Sequence, residues 1–415
     1  MIPLLSLGIG KMELDWRKHN SVYEYSELFK ISDIKDIPYY YADEDGGIAF
    51  EMIEGYSCKL SQVKRRLDLL GYDYASLAEE FNNNISLMPK HMNSLEQLSF
   101  ERFASVINGC DISTINTVEI DKEYVDNGYD LGEYVSKCIF EAAPSIKEGL
   151  LYALCSSNAD YDKFIEDDLS VFLENLDPYI VLRIICENPK YDNCDLIWCF
   201  NNFLEEGIVD RDELVRKLDN EKKILIVTEG NSDTFVLKKS INELFPDISD
   251  FFEFVDMRDN YPFTGTGNLF NFCKGMAKIN IQNNVIVIFD NDTEGIEKFK
   301  KSIELSKPKT LIITKLPDMD EFSDFKTIGP QGSSKENING KAVAIECFLD
   351  FSSVDYEPVV RWNSYNEKQG QYQGALEHKD DYVRAFKTVN LKTDNYDIHK
   401  LVYLVDYICN EWINK

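Results

Sequence analysis

Residues 222–233 read KKILIVTEGNSD, and residues 285–295 read VIVIFDNDTEG. Each stretch is a short, continuously apolar run that ends in acids. Such a run suits a strand covered on both faces, as in a parallel sheet. FFEFVDM at 251–257 and TLIITK at 310–315 repeat the pattern, so four strands are expected. Helices are expected between them, at 232–244, 268–279 and 293–305. Strand–helix alternation at this spacing predicts an α/β domain with right-handed crossovers.

In open parallel sheets, sites form at the carboxyl ends of strands. Glu229 stands at the end of the first expected strand. Asp290 ends the third, and Asp292 lies one step into the loop. Two acids separated by one residue point the same way while the chain stays extended. Gathered carboxylates are hard oxygen ligands that suit Mg2+ or Mn2+, and their mutual repulsion is costly without a cation. Each motif alone also has a plain reading, as a loop acid or a chance Asp-x-Asp in an acidic chain. Their order on two strand ends favours a site. Gly230 and Gly295 would let the backbone turn sharply. Asn231 or Ser232 would cap the first helix.

Upstream, LLSLGIGKMELDW suggests a short hairpin turning near Gly8-Ile9-Gly10. The apolar start lacks a basic beginning and a cleavage pattern, so it reads as strand and turn rather than signal peptide. Residues 60–82 read as two helices broken at Gly71-Tyr72. EYVSKCIFEAA, DYDKFIEDDLSVFLENL and DPYIVLRIICEN show amphipathic helical spacing. Three regions follow: an α+β domain at 1–105, a helical spacer or interaction region at 106–220, and an α/β catalytic domain with a C-terminal extension at 221–415.

Apolar content of 44% and aromatic content of 13% argue against disorder. No apolar run approaches the ~18–20 residues of a membrane span. The 10 cysteines are scattered. Cys194 and Cys199 are the closest pair, and no second pair completes a zinc pattern, so reduced thiols in the cytoplasm are expected. The net charge is −29. Residues 1–220 hold 20 Lys+Arg against 42 Asp+Glu, a balance of −22, and residues 221–415 hold 24 against 31, a balance of −7. The first half therefore repels phosphate backbones and suits a basic protein partner.

EGNSD followed by FDNDTEG resembles the Toprim domain found in topoisomerases, primases, RNA-maturing nucleases and the OLD family of nucleases. ELDWRKHNSVYEYSELF, IPYYYADEDGG and GYSCKLSQVKRRLDLLGY resemble the N-terminal domain of the HEPN/Toprim-associated family, and IGPQGSSKENINGKAVAIECFLD resembles the segment after Toprim in those proteins. The resemblance implies a Rossmann-like Toprim fold and a Mg2+- or Mn2+-dependent endonuclease acting on DNA or RNA. It further implies a role in anti-phage defence, an ATPase partner docking on the acidic half, and an oligomer or hetero-complex. Glu229, Asp290 and Asp292 would form the acidic core, as metal ligands and catalytic groups.

The same resemblance offers Glu346 as an extra ligand, against a plain helix-face charge in AVAIECFLD. Lys379 would neutralise charge at phosphorus, against a solvated surface lysine. Asp233 admits a metal role or a helix-start role. His378 would be a base or merely structural. The segment 264–268 would hold a phosphate on backbone N–H groups or be an ordinary glycine loop. Asp318, Asp320 and Glu321 would join the cluster or make a polar loop. A HEPN-type ribonuclease needs an Arg a helical turn or two before a His, and His19, His91, His378 and His399 lack one. Strand passage needs a tyrosine in a DNA-gate domain and a primase usually a zinc module, and neither is recognisable. The remaining alternative is a non-catalytic, partner-binding or regulatory module.

Overall fold

The computed structural model describes residues 7–9, 12–14, 24–42, 48–87, 99–109, 176–200, 210–255, 265–367 and 369–415. The chain is a mixed α/β protein that divides into two compact units, Met1–Leu218 and Asp219–Lys415.

In the first unit, β1 (Leu7–Ile9) and β2 (Met12–Glu13) form the expected hairpin. They join a five-stranded antiparallel sheet of order β2-β1-β5-β4-β3. Its long members are β3 (Ile34–Ala42) and β4 (Ile48–Lys59). Helices α1 (Leu60–Leu69) and α2 (Leu77–Leu87) are interrupted around Gly71-Tyr72, where Gly71 takes φ of 97°. Helix α3 is Phe100–Gly109.

Residues 176–200 belong to this same core. Helix α4 (Pro178–Ile185) starts at Asp177, whose carboxylate accepts from the Tyr179 N–H. Its sequence reads as amphipathic, yet all eight residues are buried. Arg183 is tolerated inside because its guanidinium pairs with Asp68 at 2.7 Å and with Glu187. Strand β5 (Asp195–Trp198) inserts between β1 and β4, within the segment expected to be a helical spacer. Its Trp198 stacks on Tyr56 at 5.5 Å and 9°. The segments EYVSKCIFEAA and DYDKFIEDDLSVFLENL lie outside the described residues.

The second unit holds the expected parallel sheet. Its strands are β6 (Ile224–Val227), β7 (Phe252–Phe254), β8 (Asn284–Phe289) and β10 (Leu311–Lys315), in the order β10-β8-β6-β7. Helices α5 (Asn231–Leu244), α6 (Thr266–Lys278) and α7 (Thr293–Ile303) alternate with them. Val285 to Phe289 are each at most 3% exposed, as a strand sandwiched between helices requires.

Two additions follow. Strand β9 (Asn291–Asp292) pairs antiparallel with β13 (Ala342–Val343). A mixed sheet of order β12-β11-β14-β15 is built from β11 (Phe325–Gly329), β12 (Gly332–Glu336), β14 (Val360–Asn366) and β15 (Gln371–Leu376). Helices α8 (Lys379–Thr388) and α9 (His399–Ile413) complete the unit. The described cysteines are free thiols, and most are buried. No helix among the described residues is long and apolar enough to cross a membrane.

Candidate functional site

The strand order places a topological switch point between β6 and β8. From β6 the chain moves to one side to form β7, then returns to the other side to form β8. The connections diverge there and leave a crevice at the strands' carboxyl ends. Glu229 follows β6 by two residues, and Asp290 follows β8 directly. The two loops are tied together: the Asp290 N–H donates to Glu229 Oε1 at 3.1 Å. Thr266 Oγ1, in the first turn of α6, donates to Glu229 Oε2 at 2.6 Å, and the Gly265 N–H donates to the Glu229 carbonyl at 3.1 Å. Gly265 has φ of 87°, which explains a glycine there. Gly265 and Thr266, from the segment that would hold phosphate or be an ordinary glycine loop, are thus docked on Glu229.

Asp233 performs the helix-start role. Its Oδ2 accepts from the Gly230 N–H at 2.9 Å, so this acid, not Asn231 or Ser232, satisfies the start of α5. It is also buried beside the other acids. Asp292 caps α7, with Oδ1 accepting from the Gly295 N–H at 2.7 Å and Oδ2 accepting from Gln373 Nε2 at 2.5 Å. Asn291, between the two aspartates, is fully buried and acts as a staple. Its Nδ2 donates to Asp318 Oδ1 at 2.6 Å, and its Oδ1 accepts from the Gly340 N–H at 3.0 Å.

Glu346 arrives from 54 positions beyond Asp292 because β13 zips onto β9, placing Ala342 opposite Asp292. It lies on a 3-10 turn, Ile345–Phe348, rather than the longer helix expected from its sequence. The side chain is 4% exposed. Among the described residues, no hydrogen bond or ion pair reaches the carboxylates of Glu346 or Asp290.

The electrostatics unite these five acids. Burial, then the charges of Glu346 and Glu229, push the Asp233 carboxyl up to about 7. Burial and the neighbouring Asp233, Glu229, Asp292 and Glu346 push Asp290 well above the ordinary range. Burial raises Glu229 and Asp292 as well, against their hydrogen bonds. No lysine or arginine is prominent among the charges acting on the four. A partly buried, like-charged set of oxygen donors is the chemistry that accepts a hard divalent cation. Among the described residues, no three acids, histidines or cysteines stand as a ready-made cation cage. The oxygens of Glu229, Asp233 and Asp292 point to protein donors instead.

These shifts set a pH dependence. The folded state retains the Asp233 proton between about 4 and about 7, while the unfolded chain gives it up, so ionisation favours unfolding. The contribution is present below pH ~4 and lost as pH rises through about 7. Asp290 extends the loss to higher pH. In chelator, urea melts of the second unit are expected to show falling stability from pH 5 to pH 7.5. A rise over that interval would contradict the shifts.

Lys379 opens helix α8. It is exposed and makes no ion pair among the described residues. His378 is also exposed, with φ of 57° and its ring 4.9 Å from that of Tyr356. Asp318 is held by Lys315 and Asn291, and Glu321 by His399, as in a polar loop. Sequence reasoning missed Gln373 and Lys400. Lys400 is 3% exposed, donates to the Cys347 carbonyl at 2.9 Å and sits 3.7 Å over the Phe351 ring. It steadies the turn that carries Glu346.

A mixed α/β protein with half-buried carboxylates at the switch point of a parallel sheet is the class this fold and site define. The HEPN/Toprim N-terminal domain 1 family matches residues 3–222, more than half of the chain, and the chain belongs to that family. The match spans the first unit and ends where the second unit begins. No curated protein and no solved structure matches the chain.

Proposed function

We propose that the second unit is a Toprim-type, divalent-metal-dependent nuclease that hydrolyses phosphodiester bonds in DNA or RNA. One observation carries this reading: the charges of Asp233, Glu229, Asp292 and Glu346 all act on Asp290, which follows β8 at the switch point. Asp290, Asp292, Glu229, Asp233 and Glu346 would hold Mg2+ or Mn2+. The ion would activate water and neutralise charge on the scissile phosphate and leaving oxygen.

The protein's own groups do the positioning. The Asp290 N–H and Thr266 fix the Glu229 carboxylate in one orientation. Its raised proton affinity suits a proton acceptor nearer neutral pH. Gln373 and the Gly295 N–H hold Asp292, and the β9–β13 pair keeps Glu346 against the cluster.

A basic partner, such as an ATPase, would dock on the acidic first unit, and a cytoplasmic role in anti-phage defence fits this scheme. The fragment 1–220, with its balance of −22, is expected to bind no DNA or RNA at physiological salt in a salt-titrated assay. Tight binding there would make it a substrate-recognition domain.

The activity is tested on the purified chain with Mg2+ or Mn2+, against plasmid, single-stranded DNA and tRNA. Metal-dependent cleavage is expected for at least one. No cleavage of any substrate under either metal would leave a partner-binding or regulatory module.

A further inference from the structure

Helices α6 and α7 both begin at the crevice. Thr266, in the first turn of α6, holds Glu229, and Asp292 caps α7. The two helices lie on one face of the parallel sheet. Phe270 and Met276 of α6 and Phe299 of α7 pack on one core with Val285, Val287 and Phe289 of β8. Their outer surface therefore runs from the crevice down the flank of the sheet.

Charge on this flank differs from the rest of the unit. Residues 266–310 hold seven lysines. With Asp290 and Asp292 set aside as crevice residues, three acids remain among them, Glu294, Glu297 and Glu304. The other residues of 221–415 hold 17 Lys+Arg against 26 Asp+Glu. Glu297 pairs with Lys301 and lies 3.9 Å from Lys298. Lys307 Nζ donates to the Leu311 carbonyl at 2.9 Å. Among the described residues, Lys274, Lys278, Lys300 and Lys309 enter no ion pair.

Three of the seven have a local reason. Lys278, Lys300 and Lys301 stand in the last turns of their helices, where a cation complements the dipole. Lys274 and Lys298 stand outside those turns. They come from different helices, yet their ammoniums converge on one ring, Phe270, at 4.7 and 5.9 Å from its centroid. Like charges drawn to one ring repel each other, and an anion between them relieves that cost. Lys274 follows Thr266 by eight residues and Lys298 follows Asp292 by six, about 12 and about 9 Å along the helix axes.

We propose that the α6–α7 flank, centred on Lys274 and Lys298, carries the sugar-phosphate backbone of the substrate where its strand leaves the carboxylate site. This rests on the phosphodiester reading above. A chain of net charge −29 repels a polyanion, so the approach to the acids needs a locally positive path, and this flank supplies one. The reach from the helix starts spans about three phosphates of one strand of a duplex. The two lysines therefore meet flanking phosphates rather than the cleaved one. As point charges they position the backbone and read no base edges, so the contact is blind to sequence.

The test uses full-length protein and three double variants. Lys274→Met/Lys298→Met keeps an apolar stem over Phe270 and removes the charge. Lys274→Arg/Lys298→Arg keeps the charge. Lys326→Met/Lys335→Met removes two lysines from β11 and β12 instead. Fluorescence anisotropy follows binding of labelled oligo-dT and of a labelled duplex across a KCl titration, with Ca2+ replacing Mg2+. The first pair is expected to bind about tenfold more weakly at low salt. Its plot of log affinity against log salt should be shallower than wild type by about 1.4 on the strand and about 1.8 on the duplex, the loss of two phosphate contacts. The arginine pair and the β11–β12 pair should keep the wild-type slope. An unchanged slope in the first pair, or an equal change in the β11–β12 pair, would overturn the track. An altered oligomeric state with unchanged oligonucleotide affinity would also overturn it and assign the flank to protein contact. Metal-dependent cleavage by wild type together with an unchanged slope would overturn the track alone, whereas wild type that binds and cleaves no nucleic acid would overturn the phosphodiester reading beneath it.

Discussion

Asp290→Asn is expected to reduce metal-dependent cleavage by at least about 1,000-fold and to raise the melting temperature of the metal-free protein. The two effects have opposite signs because they have one cause. Asp290 has no hydrogen-bond donor on its carboxylate among the described residues and is surrounded by Asp233, Glu229, Asp292 and Glu346. At pH 8 its carboxyl must either hold a proton that the unfolded chain has released or carry a charge among like charges, and both cost stability. The amide is nearly the same size and removes that cost. A gain of at least about 1 kcal/mol corresponds to roughly 2–4 °C for a unit of this size. Asp292→Asn should lose activity similarly, with a smaller stability gain, because Gln373 and the Gly295 N–H already support its charge. Cleavage assays and thermal melts in chelator measure both effects. Unchanged cleavage in both variants would remove this crevice as the active site.

The second large effect is expected at Gly295. A Cβ there would lie 2.1 Å from the Asp290 carbonyl oxygen and 2.9 Å from its carbon. Both are backbone atoms of the acidic loop, so a side-chain rotation cannot relieve the clash. Gly295→Ala should destabilise the second unit by about 3 kcal/mol, lowering its melting temperature by roughly 6–12 °C. Gly230→Ala is the control. The nearest side-chain atom there is Asp233 Oδ2 at 3.6 Å, and the backbone is extended with φ of −149°. Its stability should stay within about 0.5 kcal/mol of wild type. Equal behaviour of the two variants would contradict the packing described for the acidic loop.

This contrast shows what was legible. Both glycines sit beside an acid after a strand, and the sequence alone gave them the same part. Only packing separates them. The parallel sheet was readable because its strands are continuous apolar runs and its helices are local. The strand-end positions of Glu229, Asp290 and Asp292 were readable because each lies within a few residues of a continuous apolar run. Glu346 needed the non-local β9–β13 pairing, which no periodicity encodes, and the family resemblance pointed to it instead.

Strand β5 was missed because it has only four residues and its partners lie far upstream, in β1 and β4. Lys400 was missed because a lysine at a helix start reads as solvated until the Cys347 carbonyl and the Phe351 ring are found around it. Gln371 and Gln373 did leave a signal, two amides of like size at alternate positions of a strand. Nothing local says that they face Thr293 and Asp292. Lys379 was favoured by sequence context, and it stands exposed at the start of α8.

Isothermal titration of the purified chain with Mn2+ tests the central claim, that these five acids are a divalent-cation site, without depending on a substrate. The account expects saturable binding to wild type, with affinity reduced at least about tenfold in Asp290→Asn and in Glu346→Gln. No binding to wild type, or equal binding by all three proteins, would contradict it.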